Sequence, residues 1–328
     1  SGLLLAHRLL SSPSVRATIS IYEQRSDYRL QDNIVSGSSR AYALGLGPRA
    51  RRSISSVDAS LWEEVAARGN PCERFTLHVT PKIKLRLRDG VQKLPRKYSS
   101  FGEQQGEADQ EEEDLQPSVL IYQTDLCAAL VDGLVSRYGG DNRVKINFDT
   151  QVSEADARDG FLSIQTETGS TSTTIIGPFD FIAGCGGVNS PVRDAISSAA
   201  PRGTFQAETR NLPGSFKVAR LPSMPPLLDP NSVALVLPSK PKKPPQDDAA
   251  TTRPTMSSGT MSAFVEPVTG GGACILFAGR GGGDSDKDDA AATTEKREET
   301  LLSDWRLESF DEGDIRAFSE DIFSRFPL

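Results

Sequence analysis

Apolar residues recur at helical spacing in four stretches of the chain and alternate with polar ones in many more. Leu3, Leu4, Leu5, Leu9 and Leu10 mark a first helix, opened by Gly2 and ended by Ser11-Ser12-Pro13. Leu61, Trp62 and Val65 form the buried side of a second helix over about 58–68, with Asp58 as N-cap and Gly69 and Pro71 as its stop. Leu126, Leu130, Leu134 and Tyr138 share one face of a third, capped by Thr124 and stopped by Gly139-Gly140. A fourth, over 314–326, sets Ile315, Phe318, Ile322 and Phe326 on one side.

Alternation and β-branching predict strands at Thr18–Tyr22 and Val119–Tyr122. Phe75-Leu77-Val79 and Ile83-Leu85-Leu87 read as two antiparallel strands joined through Pro81. Val144–Phe148, Val152, Phe161–Gln165 and Thr173–Ile176 follow, with a turn at Asp159-Gly160. After Arg193 the pattern changes: Thr204–Arg220, Val233–Leu237, Met261–Val265 and Ala273–Ala278 read as antiparallel strands of one sheet. The fold class is therefore mixed α/β: βαβ units with a β-meander, plus a mixed or antiparallel sheet with helices. The expected domains are 1–70 with 118–198, and 71–117 with 199–328. Runs of charge, Pro, Gly and Thr at 103–114, 238–259 and 279–299 predict solvated low-complexity insertions.

Composition is that of a globular protein, 37% hydrophobic and 25% charged over 328 residues. A net charge of -7 argues against a nucleic-acid partner, which wants a basic face. The four cysteines, at 72, 127, 185 and 274, lack metal-ligand or CxxC spacing and read as reduced thiols. The histidines, His7 and His78, stand in a helix and a strand and read as packing or surface residues, so neither a catalytic triad nor a metal site is expected. With no apolar run of about 18 residues, no membrane span is expected. No secretory signal is visible, and a cytoplasmic or organelle-associated protein is expected, not a secreted one. The chain starts at Ser1 in an apolar helix and stops at Leu328 beside another, which suggests truncation at both ends.

Two places suggest chemistry. Phe179–Ala183 reads as a short apolar strand, followed by Gly184, Gly186 and Gly187 and by a helix starting near Ser190. Strand, glycine turn and helix N-terminus together form a site for a phosphate or a ribityl chain; a tight turn in an ordinary doubly wound sheet fits the same residues. Glu23 ends the strand Thr18–Tyr22, about 20 residues after Gly2, the spacing of a dinucleotide-fold glycine and its ribose-binding acid. A strand-end glutamate facing water fits the same residues, and taken alone the position favours it.

Taken in order, these segments resemble the flavin-dependent aromatic hydroxylases, and among them the kynurenine 3-monooxygenases most closely. Gly184-Cys185, Gly187, Ser190 and Arg193 match the second nucleotide-contacting segment of that family, and the run from Arg40 to Gly47 resembles the one leading into its next helix. The resemblance implies an FAD-binding domain of Rossmann-like βαβ type and a substrate domain. The implied reaction uses NAD(P)H to reduce FAD and transfers one oxygen of O2 to a small aromatic substrate. It places FAD contacts at Ser1, Gly2, Tyr22, Glu23, Gln24, Arg25, Gly45, Gln123, Val152, Gly186 and Gly187, and substrate contacts at Arg74 and Tyr98. It implies no catalytic side chain and no metal.

Two departures bear on activity. Gly186 stands where the family has an aspartate that helps hold the flavin, and Gln123 where it has an arginine. An inactive or truncated relative that keeps the fold as a binding module is the alternative, and an NAD-dependent dehydrogenase a third. The chain as given is expected to bind FAD weakly or not at all. For Arg74 and Tyr98, a surface arginine and a core tyrosine fit the same sequence.

Overall fold

The computed structural model describes residues 1–30, 42–80, 83–88, 117–166, 172–208, 215–237 and 261–279. Arg40, Tyr98, the insertions over 103–114, 238–259 and 280–299, and the expected helix over 314–326 lie outside them. Two units emerge: one from Ser1–Asn70 and Ile121–Asn211, the other from Pro71–Leu120 and the residues from Leu212 onward.

In the first unit a helix α1 (Gly2–Ser11) leads into strand β1 (Ile19–Tyr22), as the leucine pattern predicts. A longer helix (Gln123–Tyr138) leads into a strand over Val144–Asn147, which pairs with β1 in parallel, Ile19 opposite Val144 and Tyr22 opposite Asn147. Both helices cover one face of this pair. Ala6, Leu10 and Leu134 are buried there against Ile19, Ile21, Val144 and Ile146. Two helix–strand pairs sharing one apolar layer is what period-3.6 and period-2 patterns require of adjacent segments.

Between these pairs lie strand β2 (Ala43–Leu46) and helices α2 (Pro48–Ser55) and α3 (Ala59–Ala66). Helix α2 carries no apolar stripe that periodicity could detect, since of its eight residues only Ile54 is buried. Asp58 caps α3 as expected, its Oδ1 accepting from Ser60 N at 2.9 Å. The chain passes between units at β3 (Asn70–Cys72) and β6 (Ser118–Tyr122). Helix α4 (Gln123–Tyr138) begins one residue before the expected cap: Tyr122 is its N-cap and Thr124 lies in its first turn.

After β7 (Val144–Asn147), strands β8 (Gln151–Ala155), β9 (Leu162–Gln165) and β10 (Thr174–Ile176) form the expected antiparallel meander. The chain then corrects one expectation. Phe179–Ala183 is no strand: it joins no ladder among the described residues, and Phe181 is 72% exposed. An apolar run has strand propensity, but the backbone needs a neighbour to pair with. Helix α5 (Pro191–Ala199) follows, capped by Ser190 Oγ, which accepts from Arg193 N at 3.3 Å.

The second unit is one six-stranded sheet. It contains β4 (Arg74–Thr80), β5 (Ile83–Arg88), β11 (Ser215–Leu221), β12 (Ser232–Val236), β13 (Met261–Pro267) and β14 (Ala273–Gly279) in the order β11-β14-β13-β12-β4-β5. Every pairing is antiparallel except β12 with β4, which is parallel. The first part of the expected strand Thr204–Arg220 is not strand: 204–208 is turn and coil. One face of the sheet is a core of Ala234, Val236, Ala263, Val265, Ile275 and Phe277.

Candidate functional site

Glu23 sits where β1 ends, and the end of the parallel pair fixes its backbone. Its N–H donates to Asn147 O and its carbonyl accepts from Thr150 N, both at 2.9 Å. The side chain is held as well. Oε1 accepts from Arg25 N at 2.9 Å, and the Tyr28 hydroxyl hydrogen-bonds the carboxylate. Burial first, and this bond second, raise the Tyr28 phenol far above its usual range. A carboxylate fixed in this way keeps lone pairs for the hydroxyls of a ribose.

Cys127, one turn after Gln123 on α4, joins this corner. Burial raises its thiol; the amino terminus of Ser1 and Arg25 act to lower it, and Glu23 to raise it. The start of α1, the end of β1 and the first turns of α4 thus lie within electrostatic reach of one sulfur. Ser1 offers α1 no side-chain cap, which leaves the first-turn amides of the helix to other acceptors.

The glycine turn reaches the start of α1. A Cβ placed on Gly2 would stand 3.3 Å from Cys185 Cβ and 3.6 Å from its Sγ. Gly184 needs to be glycine, because its Cβ would meet Val192 Cβ at 2.8 Å. Gly187 adopts a left-handed φ of 82°. Arg193 donates to the Val188 carbonyl and to Asp194 Oδ1, bracing the turn from α5. Gly186 is different. Its φ is -77°, and nothing lies within 4 Å of where its Cβ would be.

Ser1, Gly2, Glu23, Arg25 and Cys127 therefore share one corner of the first unit, with Cys185 bringing Gly186 and Gly187 alongside. Gln123 is tied in through α4 and through its N–H, which donates to Tyr42 O at 3.1 Å, three residues before Gly45. Tyr22 packs edge-on against Phe179, ring centroids 6.4 Å apart, and Gln24 is exposed. Val152 stands on β8 opposite Ile164, two residues past the Thr150 that binds Glu23. A cavity of about 680 Å³ opens elsewhere in this unit, beside β8, β9 and α5, and none of the expected cofactor residues lines it.

Arg74 belongs to the second unit. Its Nη1 donates to Asp229 Oδ2 at 2.7 Å, a partner 155 residues away that local sequence could not reveal. Tyr98 lies outside the described residues. Neither histidine is placed for catalysis. His7 is fully buried, its Nε2 bonded to Leu130 O at 2.9 Å, and burial lowers its pKa. His78 is buried on β4 and is lowered by burial and by Lys84. Among the described residues no group of three or more His, Cys, Asp or Glu could hold a metal ion, and no helix is long and apolar enough to cross a membrane.

No family model matches the chain. No curated protein matches it either. Several solved structures are similar. A tetrameric form of 2-methyl-3-hydroxypyridine-5-carboxylic acid oxygenase is 14% identical, with a TM-score of 0.49, covering 92% of this chain and 62% of its own. The p-nitrophenol 4-monooxygenase PnpA from Pseudomonas putida is 14% identical at a TM-score of 0.49, covering 93% and 59%. A variant of HpxO from Klebsiella pneumoniae, complexed with FAD, is 11% identical at 0.47, covering 95% and 64%. The chain thus spans less than two thirds of the length of each of these three proteins.

Proposed function

We propose that this chain is part of an FAD-dependent monooxygenase that hydroxylates a small aromatic substrate with NAD(P)H and O2, of the kynurenine 3-monooxygenase kind. One observation carries the reading: Glu23, the start of α1 and the glycine turn through Cys185 share a single corner. A ribose acid, unpaired helix amides and a side-chain-free turn are the donor and acceptor set that a dinucleotide requires. The flavin, when bound, supplies the redox and oxygen-transfer chemistry.

The chain's own residues position and shield. Glu23, with Tyr28 and the Arg25 amide fixing its carboxylate, takes the ribose hydroxyls. The first-turn amides of α1 face the pyrophosphate. Gly186 and Gly187 let the nucleotide chain approach the backbone, and Gln123 donates from its amide without charge. Val152 offers backbone atoms to the adenine. In the second unit Arg74, in its pair with Asp229, and Tyr98 are the substrate residues the family pattern names. Localisation follows the same reading: a cytoplasmic or organelle-associated protein.

A second reading has its own support. Gly186 lacks the carboxylate and Gln123 the charge that hold flavin in the resembled family, and both fit a fold kept as a binding module. Incubating the chain with FAD, NADH or NADPH, O2 and a panel of phenols and anilines separates the two. Aromatic-stimulated NAD(P)H oxidation, with one oxygen atom of O2 found in the product by mass spectrometry, would support the monooxygenase. FAD binding without any such turnover would favour the binding module.

A further inference from the structure

A second hollow opens in the first unit, at the opposite end of β1 from Glu23. Its volume is about 430 Å³, and it is lined by the turn from α1 into β1 and by Arg143, just before β7. Ile19 N–H donates to Arg143 O at 2.8 Å, so the two parallel strands begin side by side here. From Thr18 to Glu23 the extended chain runs roughly 16 Å, which separates this hollow from the nucleotide corner.

The lining is basic in an acidic protein. The chain carries a net charge of -7, yet no Asp or Glu lines the hollow, whereas Arg16 and Arg143 do. In the same unit Arg29, Arg68, Arg137 and Arg193 pair with carboxylates. Among the described residues neither Arg16 nor Arg143 does. Arg143 is held in another way. Its guanidinium lies over the Tyr138 ring, 5.9 Å from the centroid, and Tyr138 packs onto the core of Ala6, Leu10 and Leu134. A guanidinium placed over a ring keeps its N–H fork for an oxyanion.

Cations gather at a helix C-terminus to answer its last carbonyls, but α1 answers these from within. Ser11 Oγ donates to Arg8 O at 3.1 Å, and Ser12 N–H donates to Leu9 O at 3.4 Å. Val15 N–H closes the following turn on Ser12 O at 3.2 Å, and Arg8 turns away to donate to Ser56 O. The two guanidiniums of the hollow are thus left over. Thr18 adds a hydroxyl, and Leu10, Pro13 and Val15 add apolar surface.

We propose that this hollow is a second ligand site, which takes the phosphate group of a small organic phosphate ester. Arg16 and Arg143 supply two forks for the dianion and Thr18 a further donor, while the organic part lies against Leu10, Pro13 and Val15. A phosphate suits the site better than a carboxylate, because its charge of about -2 at neutral pH matches two cations. The volume is that of a small-molecule pocket. The site does not depend on the flavin reading.

The test is isothermal titration of the whole chain, in buffer free of phosphate and sulfate, with phenyl phosphate, benzoate and benzyl alcohol. Phenyl phosphate should bind saturably, about tenfold tighter than benzoate, and benzyl alcohol should not bind. Arg16→Gln and Arg143→Gln should each weaken phenyl phosphate about tenfold. Arg16 is exposed, so its variant keeps the fold even where Arg143→Gln, which loses the Tyr138 contact, does not. Arg158→Gln, at an exposed arginine of the meander, should change nothing. Equal loss in Arg158→Gln, equal binding of benzoate, or no phenyl phosphate binding would each overturn the proposal. So would binding to phosphatidic acid vesicles without binding to phenyl phosphate, because the arginines would then serve a lipid surface. FAD keeps the two sites apart: phenyl phosphate should not displace it, and Glu23→Ala should leave phenyl phosphate affinity unchanged. Displacement would put the phosphate in the nucleotide corner and overturn the second site. Absent FAD binding with intact phenyl phosphate binding removes the flavin assignment and leaves this site standing.

Discussion

Gly2 and Cys185 meet so closely that a single added carbon on Gly2 would come within 3.3 Å of Cys185 Cβ. This contact joins the start of α1 to the glycine turn, and it explains why a residue without a side chain opens the helix. Cys185 is exposed and has room to give, so Gly2→Ala should cost less than about 1 kcal/mol of stability. Gly2→Val should move the turn away from the helix and lower FAD affinity by about tenfold. Flavin fluorescence titration beside thermal melts measures both; unchanged affinity in Gly2→Val would separate the turn from the nucleotide.

Gly186 has room for what it lacks. Its φ of -77° suits any residue, and its missing Cβ would meet nothing within 4 Å. Gly186→Asp should therefore fold normally and raise FAD affinity by about tenfold, by restoring a carboxylate the resembled family uses. Isothermal titration of FAD reads the gain. Gly184→Asp, where Val192 Cβ stands 2.8 Å from the new carbon, should instead unfold the turn.

Gly133 reverses an ordinary rule. Alanine normally stabilises an exposed helix interior by about 1 kcal/mol over glycine. Here the added carbon would stand 2.7 Å from Leu61 Cδ1 and 3.1 Å from His7 Cε1, and both neighbours are fully buried. Gly133→Ala should destabilise by about 1–3 kcal/mol, measured by urea unfolding. A more stable variant would mean that α1, α3 and α4 pack less tightly than described.

His7 and Glu266 should respond to pH in opposite directions. His7 is buried with its pKa lowered, chiefly by burial, so the unfolded chain takes up a proton that the folded one refuses. The stability His7 contributes is full above about 6.5 and is lost as pH falls below it. Burial raises Glu266 to about 7, so its folded form keeps a proton the unfolded form releases. Its contribution is full below about 4.3 and is lost as pH rises through 7, a change on the order of 2–3 kcal/mol. His78, lowered by burial and Lys84, opposes Glu266 within the second unit. The clean measurement is therefore the difference between the parent and Glu266→Gln, followed by melting from pH 5 to pH 8. The variant should gain on the parent as pH rises to about 7 and level off above it.

Elements that depend on their own pattern could be read directly. The leucines of α1, the Asp58 cap, the meander β8–β10 and the antiparallel pair β4–β5 all appear where periodicity and turn residues place them. What failed depends on distant partners. Phe179–Ala183 has the composition of a strand and no ladder. The parallel register of Ser232 with Arg74 spans more than 150 residues and leaves no local trace. Within the site, the position of Glu23 at a strand end was legible, whereas its tie to Tyr28 and the meeting of Gly2 with Cys185 were not. The buried carboxyl of Glu266 was missed, although a lone acid in the run Ser262-Ala-Phe-Val-Glu266 was a visible sign.

The most direct measurement is a titration of FAD against the parent chain and Glu23→Ala, with Gly186→Asp as the gain-of-binding partner. Weak, saturable binding in the parent is expected, at least tenfold weaker in Glu23→Ala and stronger in Gly186→Asp. Binding that ignores Glu23, or no binding even with Gly186→Asp, would contradict a dinucleotide site at this corner.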